Sequence, residues 1–172
     1  MTANTKSWKC VTSDLKLTVL QERIRLLIVT LWVGSLWAIG YLAAPTLFAT
    51  LYDRVLAGTV AGSLFRTEAW VSVTCALLLL GLRAWQNRRQ AHVSHAETRI
   101  IMAMLGCTVI GYFCLQPFMA ALREAAGPAG IGAASAASDI SHQFAMLHGL
   151  SMVFYLANSL LGAVLMVKIA GR

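Results

Sequence analysis

A chain of 172 residues that is 58% hydrophobic and only 12% charged carries half the roughly 25% charge of an ordinary soluble domain. Most of its surface must therefore be solvated by lipid. At about 20 residues per crossing, the length holds four helical spans with short connections and little else. The net charge is +7, but the basic residues bracket the apolar runs instead of forming a patch, which speaks for membrane topology and against nucleic acid.

The first 23 residues are polar, with Lys6, Lys9, Lys16 and Arg23 against Asp14 and Glu22. The apolar run after Arg25 is too long for the h-region of a cleaved signal peptide. Residues 1–23 therefore read as a partly disordered cytoplasmic tail ahead of a transmembrane domain at 24–170. The first span is expected at about 26–48. Gly34, Ser35, Ala38 and Gly40 give it a small-residue stripe that admits a neighbouring backbone, and Pro45 should kink or stop it.

The second span, about 62–82, follows a Gly58–Gly62 GxxxG spacing. Arg66 and Glu68 interrupt it, and the uninterrupted run 69–82 is short, so the helix must begin before Arg66. The segment Arg83–Arg99 is basic and belongs on the cytoplasmic side; His92 and His95 there read as solvated loop histidines. The third span, about 100–122, contains Gln116-Pro117. The Ala-, Gly- and Ser-rich stretch 125–139 should be a mobile loop, and Ser138, Asp139 and Ser141 are N-cap candidates for a fourth span at about 144–167.

Three segments are basic: the N-terminal tail, Arg83–Arg99 and the C-terminus. An even number of spans with both termini cytoplasmic satisfies all three. The expected fold is an all-α, multi-pass four-helix bundle of the inner (plasma) membrane.

Polar groups inside hydrocarbon are costly and point to sites. At 1.5 Å per residue, Tyr41 lies ~24 Å from Arg25, Gln116 ~24 Å from Ile100 and Glu68 ~20 Å from Leu82, with His148 slightly nearer the outer surface. One polar residue per span thus falls in the same outer third. Tyr41, Arg66, Glu68, Gln116, His148 and Ser151 are the candidates for a polar, outward-facing pocket. The plainer alternative is that they are packing glue between helices.

The metal ligand set is thin. His142 and His148 diverge by about 120° on one helix, and no other span holds a histidine, which removes a bis-histidine haem. His148 with Met119 or Met152 is a soft-donor alternative, as is the face shared by Met104, Cys107 and Cys114. The four cysteines include no CxxC pair, so zinc-ribbon and thioredoxin-like sites are unsupported. No nucleophile elbow, HExxH or phosphate loop occurs. No cofactor is predicted, with haem or copper as the alternative.

Leu31-Trp32-x-Gly34, Gly40-Tyr-Leu-Ala-Ala-Pro45-Thr-Leu-Phe48 and Ala57-Gly-Thr-Val-Ala-Gly62-Ser-Leu-Phe65 resemble a bacterial family of small four-helix membrane proteins related to eukaryotic transmembrane protein 205. Gln116-Pro117, Phe144-x-x-x-His148-Gly149-x-Ser151 and Tyr155-Leu-x-x-Ser159-Leu continue the likeness over about 24–170. The resemblance implies a multi-pass membrane protein without an established activity; the eukaryotic relative is associated with tolerance of platinum drugs. The family is distantly similar to copper-resistance-D-like proteins and to a haem-using four-helix oxidase. That oxidase has a histidine in its first span, where this chain has none.

The resulting expectation is a non-enzymatic inner-membrane module. Its partners would be the lipid bilayer and either further copies of itself or another membrane protein. Copper or haem handling and small-molecule transport are the alternatives.

Overall fold

The computed structural model describes the backbone of residues 4–88, 95–127 and 138–171, with side chains from Val19 onward. Among these residues, four helices are long and apolar enough to cross a membrane: Val19–Thr50, Arg54–Arg88, His95–Ala125 and Ser138–Ala170. His92 and most of the predicted loop, 128–137, lie outside the described residues.

Two spans are composite. In the first, α1 (Asn4–Trp37) widens into a π-helical turn, π1 (Ala38–Ala43), and continues as α2 (Ala44–Thr50). In the third, α4 (His95–Thr108) passes through π2 (Val109–Cys114) into α5 (Leu115–Ala125). The second and fourth spans are single helices, α3 (Arg54–Arg88) and α6 (Ser138–Ala170).

Both π-helical turns lie just ahead of a proline, Pro45 or Pro117. Proline lacks the amide that would serve the carbonyl four residues back. A register that reaches five residues on passes over that gap. The first span therefore does not stop at Pro45 but runs on to Thr50. Each π turn carries a Gly-Tyr pair, Gly40-Tyr41 and Gly111-Tyr112.

Two boundaries differ from the sequence reading. The helix α1 already runs from Asn4, so the segment expected as a partly disordered tail is helical and continuous with the first span. The helix α3 begins at Arg54, capped by Asp53, whose carboxylate accepts from the amides of Val55 (2.8 Å) and Leu56 (3.1 Å). Two orphan amides of the first turn are satisfied this way, and Gly58 and Gly62 fall within the opening turns of that helix.

Each span packs on its neighbours in sequence and the fourth closes on the first; among the described residues the diagonal pairs, α1 with α4 and α3 with α6, make no close backbone contact and meet through side chains such as Arg25 on Glu97 and Phe65 beside Tyr155. The near half, where both termini lie, holds the apolar core of Val29, Trp32, Ala76, Leu79, Met104 and Leu165. Gly162 lets α6 close on it, since an added Cβ would meet Val33 Cγ2 at 3.0 Å and Met104 Cε at 3.3 Å.

A buried ion cluster ends the core. Glu97, 1% exposed, accepts from Arg25 Nη2 (2.5 Å) and pairs with Arg83 Nη2. Arg25 also pairs with Glu22 (2.7 Å), and Arg83 Nη1 donates to Thr98 Oγ1 (2.8 Å). One carboxylate thereby ties together the first three spans.

The far half is different. There α2 packs on α3 and α5 packs on α6, but the two pairs make no close backbone contact with each other. The bundle splays into two hairpins.

Candidate functional site

Between the splayed pairs lies a cavity of about 660 Å³. Small residues make room for it: Gly40, Gly58, Ala61, Gly62 and Gly111 all contribute to its wall. Tyr41, Glu68, Gln116, His148 and Ser151, nominated on four separate stretches of sequence, also line it. Arg66 does not. Two positions from Glu68 on one helix is a rotation of about 200°, which puts Arg66 on the exposed face of α3 while Glu68 is buried.

The floor of the cavity is built from two hydrogen-bond chains on opposite sides of the bundle. On the α1–α3 side, Trp32 Nε1 donates to Ser72 Oγ (2.7 Å), and Ser72 Oγ donates to Glu68 Oε1 (2.7 Å). Glu68 is thus oriented by the core below it and is neither a headgroup ion pair nor a surface residue. On the α4–α6 side, Asn158 Nδ2 donates to Thr108 Oγ1 (3.1 Å), which donates to the Met104 carbonyl (3.1 Å). The Thr108 proton is committed to that carbonyl, so only the amino end of the Asn158 amide can face Thr108. This leaves Asn158 Oδ1, on a residue 4% exposed, without a donor.

An aromatic wall stands on one side. Tyr155 meets Tyr41 and Phe65 edge-on, with ring centroids 6.4 Å and 5.5 Å apart. Its hydroxyl donates to the Leu36 carbonyl just before π1. Ser159 Oγ accepts from Trp37 Nε1 (2.8 Å) and Tyr41 OH (3.1 Å), so the polar tips of this wall are turned to protein partners.

At the mouth, Arg123 of α5 lies 5.3 Å from the Phe144 ring centroid. Its Nη1 is 3.7 Å from where a Cβ on Gly62 would stand, so this side chain reaches from one hairpin to the other. His148 stacks on Phe144, with centroids 6.0 Å apart and planes at 5°.

The soft-donor candidates separate. Met119 and Met152 line the same cavity as His148. Met104, Cys107 and Cys114 do not keep the common face expected of them. Met104 is in the core, Cys107 lines the cavity and Cys114 is exposed. The register change at Val109 turns the helix between the last two. Among the described residues, no three His, Cys, Asp or Glu side chains converge to hold a metal.

Sequence reasoning missed Thr108, Phe65 and Tyr112 and gave Tyr155 no role in the site. The Gly-Tyr pairs preceding Pro45 and Pro117 were an available signal, since the same local pattern recurs in two spans.

The four apolar helices make this a multi-pass membrane protein. Comparison with curated proteins and with solved structures gives no match. A family model does match, over residues 27–128, which covers the first three spans and stops before the α6 wall of the cavity. By that match the chain belongs to the family described as Domain of unknown function (DUF4149).

Proposed function

We propose that this chain is a membrane-embedded binding module without catalytic chemistry of its own. Its cavity takes one small, largely apolar molecule from the outer side of a bacterial inner membrane. The observation that carries this reading is the cavity of about 660 Å³ between the splayed hairpins, within the roughly 300–1,000 Å³ of small-molecule sites. Its wall mixes apolar and aromatic surface with a few fixed polar groups, the usual composition of such sites. His148 and Ser151, two residues of the signature that resembles the transmembrane protein 205 relatives, line this wall, which supports extending the family reading through α6.

Binding is favoured over catalysis because Glu68 and His148, on the wall from the second and fourth spans, are held by protein neighbours. Glu68 accepts from Ser72, and the His148 ring is stacked on Phe144. Transport would need a route through the near half, where Trp32, Leu79, Met104 and Leu165 fill the axis.

The test uses the full chain in lipid nanodiscs and a neutral fluorescent probe, N-acetyl dansylcadaverine, read by energy transfer from tryptophan. Saturable transfer beyond that of protein-free nanodiscs, at one probe per chain, is the expected result. Gly58 lines the cavity and an added Cβ there meets nothing within 4 Å, so Gly58→Phe fills space without a clash. It should weaken binding about tenfold, equivalent to ~1.4 kcal/mol. Transfer that never saturates, or that is the same in Gly58→Phe, would overturn the reading.

A further inference from the structure

We propose that the occupant of this cavity is a lipophilic organic cation bearing at least one N–H group, its charged end on the floor between Glu68 and Asn158. This rests on the cavity being a binding site, and it specifies the chemical class of ligand.

The floor leaves an acceptor unfilled. Glu68 and Asn158 line the cavity from the diagonal helices α3 and α6, whose backbones do not come close, so they approach it from opposite sides. Ser72 is the hydrogen-bond donor to the Glu68 carboxylate, and its proton goes to Oε1. Asn158 Oδ1 can only accept, is buried and has no partner. A buried acceptor left without a donor is costly, and deep native groups of this kind call for an explanation. Here a ligand N–H supplies the missing donor.

Charge and rings point the same way. Glu68 lines a cavity whose wall is mostly apolar, where a carboxylate gains most from a positive partner and an unpaired one is expensive. Tyr41, Tyr155 and Phe65 stand as an edge-to-face cluster along the same wall. Aromatic groups around a carboxylate are a recurrent way of holding an organic cation.

The cationic mouth does not oppose this. Arg123 contacts the level of Gly62, six residues from Glu68 on α3, which is ~9 Å along the axis. It lies over Phe144, away from the floor. A metal cation would leave most of the apolar volume unfilled, whereas an amine on an apolar body fills both parts.

The experiment compares three dansyl probes on the full chain in nanodiscs of zwitterionic lipid alone. Dansylcadaverine has charge and N–H at its tip, its trimethylammonium form has charge only, and its N-acetyl form has N–H only. The amine should bind about tenfold tighter than the acetyl form, with the trimethylammonium form between them. Glu68→Gln should erase the preference for the amine while leaving the acetyl probe unchanged. Asn158→Leu should bring the amine down to the trimethylammonium level.

Equal affinity for all three probes, or a preference that survives Glu68→Gln, overturns the proposal while leaving the cavity reading intact. Failure of every probe to bind removes both. Should Glu68→Gln not fold, the three-probe comparison on the native chain and Asn158→Leu decide the matter.

Discussion

The Tyr155 hydroxyl of α6 donates to the Leu36 carbonyl of α1, and its ring fills the space where a side chain on residue 40 would otherwise stand. One aromatic side chain thus fixes the fourth span against the first at the level where π1 begins. Glycine at position 40 is what admits it. The cavity opens immediately beyond this contact, so Tyr155 marks the boundary between the closed and the splayed halves.

Gly40→Ala should therefore destabilise the protein by about 1–3 kcal/mol, the cost of overpacking. Tyr155→Phe should lose about 1 kcal/mol, one hydrogen bond. The ring carbons are among the clashing atoms, so Phe should not rescue Gly40→Ala whereas Tyr155→Ala should. Reversible unfolding in mixed micelles, arranged as a double-mutant cycle, measures the coupling. Strict additivity of Gly40→Ala and Tyr155→Ala would contradict the contact.

Glu97→Gln should be far more damaging than Glu22→Gln. The first leaves Arg25 and Arg83 buried around a neutral group, which costs ~3–5 kcal/mol when a buried pair is broken. The second removes a half-exposed partner of Arg25, and such pairs contribute ~0–1 kcal/mol. Unfolding midpoints in the same micelles compare the two, and similar losses would mean that Glu97 is not the tie between spans.

Ser72→Ala breaks the chain from Trp32 to Glu68 and leaves the indole N–H and the carboxylate each without their partner. Buried polar groups stranded in this way cost about 1–3 kcal/mol. Trp32→Phe leaves the Ser72–Glu68 bond in place and removes the donor at the start of the chain together with part of a buried ring; where the relay dominates, it should cost less. Measurement of both by thermal unfolding orders them; the reverse order would show that packing of the indole outweighs the relay.

Asn158→Leu should raise stability, by about 1 kcal/mol, because it replaces a buried acceptor without a partner by apolar volume. Thr108 keeps its bond to the Met104 carbonyl. The same variant is expected to weaken amine binding, a gain of stability at the expense of the site. A loss of several kcal/mol in thermal unfolding would instead assign Asn158 to the structural frame.

Orientation has a separate check. A reporter active only outside the cytoplasm, fused within residues 88–97, should be silent, and one fused within 128–137 should be active. The opposite pattern would invert the bundle in the membrane and turn the cavity to the cytoplasm.

Much of this was legible in composition alone. Helices are the form in which a single segment satisfies its own backbone in lipid, so four apolar runs meant four helices. Arg83 and Arg99 gave an expected side for the central connection, which the reporter fusions test. Counting 1.5 Å steps from the ends put Tyr41, Glu68, Gln116 and His148 at one depth, because rise per residue is nearly constant. Rotation is less forgiving. Each residue adds about 100°, and a single π turn shifts every position beyond it. Arg66 was lost from the cavity through the first effect and Cys114 from its expected face through the second.

Depth, span number and the polarity of the chain ends were therefore properties of the sequence, fixed by the length of hydrocarbon to be crossed and the placement of charge. Which side chains meet was decided by the tertiary structure. Only the packed bundle brings Glu97 between two arginines, seats Tyr155 on Gly40, and leaves Asn158, a cavity-lining residue, with its Oδ1 buried and without a donor. Those contacts depend on helix rotation and on the splay of two hairpins, set by close packing between residues as distant in sequence as Val33 and Gly162.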